Sequence, residues 1–187
     1  MYESSDLRKG LKIEIDNEPY TVVQFEFSKP GKGQALYRCK LKNMVTGNQF
    51  DRTYRSGDKF NEAHLEEHEM EYLYAEKNRY CFMNTSSYEQ EFLTEDQLED
   101  AIHFLQENMK CQVLFFQERP IGITLPNFVE MTVVQSDPWV KGDTASGSTK
   151  PATVDTGYTL QVPPFLEEGE IIRIDTRTGA YVERVKR

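Results

Sequence analysis

The sequence contains only three cysteines, Cys39, Cys81 and Cys111, and they are far apart in the chain. A disulfide framework needs an even number of cysteines, and a structural zinc site usually needs paired ligands at close spacing. No C-x-x-C pair is present. We therefore predict three free thiols in a reducing compartment, buried in or near the core, and no metal site.

Long apolar runs are also missing. No segment approaches the roughly 18 apolar residues that cross a bilayer, and the opening MYESSDLRKG has acids but no apolar signal segment. We expect a cytoplasmic protein with no membrane partner. Apolar residues make up 38% of the 187 residues, below the usual 45–50% or so. That shortage is typical of small domains with thin cores.

The sequence shows no arrangement of residues that is typical of an enzyme. It has no Ser/His/Asp elbow and no glycine-rich nucleotide fingerprint. His64 and His68 are four residues apart, but Leu65 stands where a metalloprotease has glutamate. We interpret both histidines as solvated side chains, and we predict a binding protein without catalytic residues or a cofactor.

What the sequence does contain is many short segments with strand alternation, separated by turn residues. They predict a mostly β protein of small barrels in series, divided at residues 1–63, 64–127 and 128–187. One helix is predicted in the middle domain. Thr94 and Gln97 would form its capping box. The residues Leu98, Ile102 and Leu105 follow at helical spacing and predict a helix that plugs the middle barrel.

Charge is distributed unevenly between these segments. The chain has 22 Lys and Arg against 31 Asp and Glu, a net charge of −9. Counted by segment, the net charge is +2 for residues 1–63, −9 for 64–127 and −2 for 128–187. Because phosphate binding depends on local cation density, an acidic total does not exclude a nucleic-acid partner. Only the first segment is a good candidate for such contacts.

The densest cationic stretch is SKPGKGQALYRCKLK, residues 28–42, which has five cations and no acid. Alternation on both sides of it predicts a hairpin with one buried face, formed by Val23, Phe25 and Phe27 on one arm and Tyr37, Cys39 and Leu41 on the other. Pro30 and Gly31 suit the central positions of a type II turn. Lys32 would then lie at the tip, between two glycines.

Four interpretations of Lys32 compete. A phosphate-binding P-loop is excluded because Gly33 follows the lysine where serine or threonine is needed. A nucleophilic lysine needs burial or cationic neighbours, which a glycine-flanked tip does not supply. An ordinary solvated turn lysine remains possible. Small flanking residues fit best a lysine that is presented to a partner or to a modifying enzyme.

Several long motifs resemble the bacterial elongation factor P family, and the match runs from end to end. The motifs are KPGKGQA, KLKNMVTG, YRSGDKFNEAHLEEHEMEYLY, GDTASGSTKPATVDTG and VPPFLEEGEIIRIDTRTGAYVERV. The resemblance implies an SH3-like barrel followed by two OB-like barrels, in an L shape similar to tRNA. It implies a monomer that binds the 70S ribosome between the peptidyl and exit tRNA sites and relieves stalling at consecutive prolines.

The resemblance also implies roles for particular residues. Lys32, with Pro30, Gly31 and Gly33, matches the family's tip lysine, which a lysyl-tRNA synthetase-like enzyme extends with β-lysine, sometimes followed by hydroxylation. Leu36 departs from the family, where phenylalanine is expected. Near the tip, phosphate contacts with peptidyl-tRNA are expected from Lys29, Arg38, Lys40 and Lys42. Contacts with the small subunit and with the mRNA codon in the exit site are expected from Gly142, Asp143, Thr144, Gly147, Ser148 and Thr149.

A free-standing OB-fold RNA-binding protein is the alternative function. Proteins of that class usually display aromatic stacking platforms on a basic groove. Here the alternation predicts inward-facing aromatic residues, and the middle segment is acidic. Both expectations disfavour the alternative.

Overall fold

The computed structural model describes residues 1–138 and 148–186. Within these ranges the chain forms sixteen strands, one short α-helix and two 3-10 helices. The strands are arranged in three antiparallel sheets that follow one another along the chain. The predicted mostly β class is therefore confirmed.

The first sheet has the strand order β1-β6-β2-β3-β4-β5. Its strands are β1 Tyr2–Glu3, β2 Lys12–Ile15, β3 Glu18–Ser28, β4 Leu36–Asn43, β5 Gln49–Arg55 and β6 Lys59–Glu62, with a 3-10 helix at Ser4–Asp6. Asp16 and Asn17 join β2 to β3 with φ values of 52° and 63°, the positive pair that a tight two-residue hairpin requires. The buried core includes Leu11, Ile13, Val22, Cys39, Leu41 and Tyr54.

The middle sheet has the order β11-β10-β7-β8-β9. Its strands are β7 Glu66–Glu76, β8 Arg79–Asn84, β9 Gln90–Thr94, β10 Lys110–Phe116 and β11 Arg119–Thr124. Helix α1, Glu95–Leu98, and a 3-10 helix, Glu99–Phe104, connect β9 to β10. The last sheet repeats this order as β14-β13-β12-β15-β16. Its strands are β12 Phe128–Ser136, β13 Lys150–Val154, β14 Thr159–Val162, β15 Ile171–Asp175 and β16 Ala180–Val185.

The predicted capping box is present, but the helix is shorter than predicted. The backbone N–H of Gln97 donates to Thr94 Oγ1 at 3.3 Å, and the N–H of Thr94 donates to Gln97 Oε1 at 3.0 Å. The α-helix then ends because Glu99 takes a positive φ of 52°, and the chain continues as a 3-10 helix. Leu98 and Leu105 do pack into the middle core, whereas Ile102 is only half-buried.

The joint between the first and middle domains is polar. Lys42 Nζ lies 2.6 Å from Glu99 Oε1, and both terminal guanidinium nitrogens of Arg119 lie 3.3 Å from Glu18 Oε1. A cavity of ≈ 450 Å³ lies between the two domains, lined by residues from both. We call these two ion pairs the polar joint.

The joint between the middle and last domains is apolar. Phe104, at the end of the 3-10 helix, is 3% exposed and belongs to the core of the last domain, with Val129, Met131 and Ile174. Met109 and Leu125 pack against both the middle core and the last core. The two cores are therefore continuous, and we call this contact the apolar joint.

Hydrogen bonds and stacking support the apolar joint. Thr156 Oγ1 donates to the carbonyl oxygen of His103 at 2.6 Å, and the His103 ring stacks on Tyr158 with centroids 5.1 Å apart. The Tyr158 hydroxyl donates to the Gly179 carbonyl at 3.1 Å. The middle and last domains are thus joined by packed side chains, and the predicted boundaries at 63/64 and 127/128 and the predicted L shape stay predictions.

All three cysteines are free and buried, as predicted. Burial raises the pKa of the Cys39 thiol, and it raises the pKa of Cys111 to about 12. A thiol must lose its proton to act as a nucleophile or as a metal ligand, so these two side chains behave as small core residues. Across the described ranges, no helix is both long enough and apolar enough to cross a membrane.

Candidate functional site

The tip of the β3–β4 hairpin presents Lys32 to solvent. The N–H of Gly33 donates to the carbonyl oxygen of Pro30 at 3.2 Å, so Gly31 and Lys32 occupy the two central positions of the turn. The predicted type II turn centred on Pro30 and Gly31 is wrong, because Gly31 does not have the positive φ that this turn requires. Lys32 is exposed.

The two glycines beside Lys32 leave space around it. A Cβ atom added at Gly31 would meet no other atom within 4 Å, and one added at Gly33 would lie 3.6 Å from the nearest atom, Cγ of Pro30. Neither backbone conformation nor packing within the chain requires glycine at position 31. The space beside Lys32 at this position is open.

A bulge interrupts β3 at the base of the distal hairpin, which is the part of β3 and β4 between the bulge and the tip, and the core residue there is Val22 rather than the predicted Val23. The β3–β4 register shifts between Val22 and Gln24. Before the bulge, Val22 is 1% exposed. After it, Phe25 is 37% and Phe27 is 52% exposed. The prediction that both aromatic residues face inward to a buried surface is therefore wrong. They do share one face of the hairpin, but the barrel does not extend far enough to cover it.

The cations predicted for phosphate binding divide into two groups. Lys29 and Arg38 are exposed and Lys40 is half-buried along the distal hairpin. Lys42, at the far end of β4, pairs with Glu99 in the polar joint. Since its ammonium group is held by an acid of the middle domain, Lys42 does not contribute to the cationic surface near the tip.

The structure adds cations that the local sequence pattern did not identify. An open cavity of ≈ 690 Å³ lies against the first sheet. Its lining brings Arg8 and Lys9, from the loop before β2, together with Arg52 of β5 and with hairpin residues. These residues are far from the KPGKG segment in sequence, and only the pairing of β3, β4 and β5 brings them together.

The end of the tip loop is attached to the rest of the barrel. The N–H of Ser56 donates to the carbonyl oxygen of Ala35 at 3.2 Å. Leu36, which replaces the expected phenylalanine, is half-buried and keeps its register with Ser28 and Arg55. The substitution leaves the strand pairing beside the tip intact.

The loop predicted to contact the exit-site codon is only partly described. Gly142, Asp143, Thr144 and Gly147 lie outside the described residues. Ser148 is half-buried, and Thr149 Oγ1 donates to Gln161 Oε1 at 2.9 Å. The role of this loop stays a prediction.

The two histidines that were considered as metal ligands do not share a helix. His64 lies in the segment between β6 and β7, and His68 lies in β7. The Nε2 atom of His68 is 3.4 Å from Oε2 of Glu66. In residues 1–138 and 148–186, no group of three or more His, Cys, Asp or Glu side chains is arranged to hold a metal ion.

Comparison with known families covers nearly the whole chain. Residues 3–60 match the model described as the elongation factor P KOW-like domain, and residues 65–123 match the elongation factor P OB domain. Residues 129–184 match the elongation factor P C-terminal domain.

Curated relatives are similar over their full length. The chain is 66% identical to "Elongation factor P" of Desulforapulum autotrophicum over 185 residues, covering 99% of each chain. It is 63% identical to the protein of the same name from Desulfosudis oleivorans over 187 residues, covering 100% of each.

A solved structure shares the fold. "Eukaryotic translation initiation factor 5A from Methanococcus jannaschii" superposes with a TM-score of 0.53 at 19% identity, over 66% of this chain and 91% of that one. At this identity the likeness concerns the fold alone.

Proposed function

The chain belongs to the elongation factor P family of translation factors, and from that membership we propose that it binds the ribosome between the peptidyl and exit tRNA sites. There it stimulates peptide-bond formation and relieves stalling at consecutive prolines. The family is one of translation factors and not of enzymes. The observation that carries the proposal is the exposed Lys32, held at the tip of a long hairpin with open space around it.

The proposed mechanism is positioning. Proline is a poor reactant because its ring fixes φ and its nitrogen is secondary. Holding two reactants in a productive geometry supplies up to about 7–11 kcal/mol in favourable cases. Strand β4 alone has eight residues, roughly 27 Å at about 3.4 Å per residue. The half of β4 nearer the tip extends beyond the core residues Cys39 and Leu41, and in the proposal it brings Lys32 to the CCA end of peptidyl-tRNA while the barrel stays outside the catalytic cavity.

Lys32 is the proposed site of a covalent extension. The resemblance assigns it β-lysine, added by a lysyl-tRNA synthetase-like enzyme and in some cases hydroxylated afterwards. The empty space beside Gly31 supports access by such an enzyme. The extension would lengthen the reach of the side chain and add an amine. Intact mass spectrometry of the protein from its native host tests this, because an unmodified mass would contradict the proposal.

Lys29, Arg38 and Lys40 are the proposed phosphate contacts. Cations that neutralise phosphates release counterions, so ribosome affinity should fall as salt rises. Replacing Lys40 with Gln should reduce the slope of that dependence by about one. Lys42 is proposed as a further phosphate contact at the base of the hairpin, which it can make only by leaving its ion pair with Glu99.

The loop of the last domain is proposed to contact the small subunit and the mRNA codon in the exit site. Support for this comes from the motif GDTASGSTKPATVDTG alone. Replacing Asp143 and Thr144 together with Ala should weaken binding to ribosomes that carry a codon in that site, and unchanged binding would identify the loop as a plain connection.

Lys32→Ala is the decisive test of the proposed function. The substitution removes the terminal amine and any extension from an exposed position, so the fold and most of the ribosome affinity should survive. Relief of polyproline stalling should be lost in a reconstituted translation system. Lys59→Ala is a matched control, since Lys59 is an exposed lysine of the same domain, 61% exposed. Normal relief by Lys32→Ala would refute the assigned role.

A free-standing OB-fold RNA-binding protein remains the alternative. Strand β7 of the middle OB domain carries several glutamates, and Glu66, Glu67 and Glu69 are exposed. Such a face repels phosphate. Tight binding of naked single-stranded oligonucleotides at physiological salt would favour the alternative over ribosome binding.

A further inference from the structure

Three aromatic rings cluster on one exposed face of the distal hairpin. Phe25 and Tyr37 stack with centroids 6.2 Å apart and an interplanar angle of 26°. Phe27 and Tyr37 lie 5.1 Å apart at 57°. Tyr37 therefore sits between the two phenylalanines, and we call these three residues the hairpin aromatic cluster.

The exposure of this cluster contrasts with the buried aromatic residues of the same domain. Tyr54 of β5 and Phe60 of β6 are each 8% exposed, whereas Phe25 and Phe27 are 37% and 52% exposed, as is Phe50 of β5 at 38%. Grouped, exposed apolar side chains on a soluble protein mark a surface that binds something. Both phenylalanines lie between the bulge after Val22 and the hairpin tip.

Cations line the large cavity beside Phe25. In the strand register Arg52 shares the face of Phe25, whereas Arg38 and Lys40 lie on the other face, opposite Glu26 and Asp51. The cavity is lined by Phe25 together with five cations and two acids: Arg8, Lys9, Arg38, Lys40, Arg52, Glu26 and Asp51. None of the five cations forms an ion pair with another residue of the described ranges. The excess of free cations makes the surface complementary to an anionic partner.

The strand register places an aromatic ring and a cation in one row. Phe25 is opposite Cys39 on β4, and Cys39 is opposite Arg52 on β5. Two strand spacings separate the ends of this row, about 10 Å. Cys39, between them, is 2% exposed and belongs to the core, so Phe25 and Arg52 flank a covered position in this row.

We propose that the hairpin aromatic cluster stacks against an unpaired RNA nucleotide while the cations beside it bind that nucleotide's phosphates. Rings on a positively charged groove are how proteins hold single-stranded nucleic acid, and unpaired bases are what proteins stack on in RNA. An apolar peptide would use the rings but not the neighbouring cations Arg8, Lys9 and Arg52. The inference rests on the proposed function, which brings the hairpin beside ribosome-bound RNA.

The test uses the full chain on stalled ribosomes. The double variant Phe25→Leu with Phe27→Leu keeps apolar side chains but removes both π faces, and Phe25→Tyr with Phe27→Tyr keeps them. Loss of one stacked base, about 1–3 kcal/mol, corresponds to about a fivefold to 150-fold rise in the half-saturating factor concentration. We expect that rise for the leucine variant with maximal relief unchanged, and less than about a twofold change for the tyrosine variant.

Chemical probing identifies the ligand. With the wild-type factor bound, base-specific modification of ribosome-bound RNA should be suppressed at one or more unpaired bases, and the leucine variant should restore reactivity there. Circular dichroism must show native folding of each variant, and intact mass must show the same state of Lys32.

Three results would overturn the inference. In the first, the leucine variant matches the wild type. In the second, both double variants are equally impaired, which would mean that ring stacking is not the determinant. In the third, a photoreactive side chain at position 27 cross-links to a ribosomal protein instead of RNA. If the wild type relieves no stalling at all, the proposed function fails, while base protection on the ribosome still decides the stacking question.

Discussion

The polar joint and the apolar joint connect neighbouring domains of the same chain in different ways. The polar joint has two ion pairs, of which Lys42–Glu99 lines the cavity, and Glu99 is 63% exposed. Exposed ion pairs contribute about 0–1 kcal/mol each. At the apolar joint, Phe104 is 3% exposed inside the neighbouring core. The difference indicates that the middle and last domains act as one body. The first domain, which carries the hairpin, is attached to that body by contacts that rearrange easily.

The largest expected effect is that of Phe104→Ala. Removing a buried phenylalanine costs about 3–5 kcal/mol in free energy of unfolding, and this ring belongs to the last core while its backbone belongs to the middle domain. Urea unfolding, monitored by circular dichroism, should show that loss of stability. The single unfolding transition of the middle and last domains should become two transitions. Phe128→Ala is the matched control, because Phe128 is 48% exposed. A loss below about 1 kcal/mol at Phe104 would show that the joint does not depend on this ring.

Gly179→Ala should have an intermediate effect at the same joint. Gly179 has a φ of 74°, and a non-glycine residue in this conformation costs about 1–2 kcal/mol. A Cβ there would also lie 2.4 Å from the Tyr158 hydroxyl oxygen. Thermal unfolding should show a smaller loss when Gly179→Ala is made in a Tyr158→Phe background, where the clashing oxygen is absent. Equal losses in both backgrounds would mean that backbone strain alone is responsible.

The smallest expected effect on stability is that of Glu99→Gln at the polar joint. The change should lower the free energy of unfolding by less than about 1 kcal/mol, yet NMR relaxation should show greater independent motion of the first domain. High salt should reproduce that motion in the wild type, because the Debye screening length falls to about 3 Å at 1 M ionic strength. Pairing Lys42→Glu with Glu99→Lys should restore the contact. A large stability loss without added motion would contradict the comparison.

Local patterns predicted the elements that local forces determine. The Thr94–Gln97 capping box and the alternation of β3 and β4 near the tip both depend on neighbours within a few residues. The helix that was predicted to continue past Leu98 instead becomes 3-10 after Glu99, and Phe104 enters the last core. That outcome depends on a domain whose strands begin more than twenty residues later, which helical spacing cannot report.

The candidate site shows the same limit. Lys32 was identified from its glycine neighbours, and the exposed tip agrees with that prediction. Periodicity correctly placed Phe25 and Phe27 on one face of the hairpin, but whether that face is covered depends on the bulge and on how far the barrel extends. Nothing in the sequence near Lys42 predicts its pairing with Glu99, which is fifty-seven residues away.

Because Phe104 is shared between two domains, the protein must fold in a particular order during its synthesis. The ring's core partners run from Val129 to Ile174, so they leave the ribosome after the middle domain has already emerged. At about 5–20 residues per second, the Phe104 side chain stays without its core partners for on the order of several seconds, until the last domain has been synthesised. The middle domain therefore buries Phe104 only after the strands of the last domain have been synthesised, whereas the first sheet is formed entirely by strands within residues 2–62.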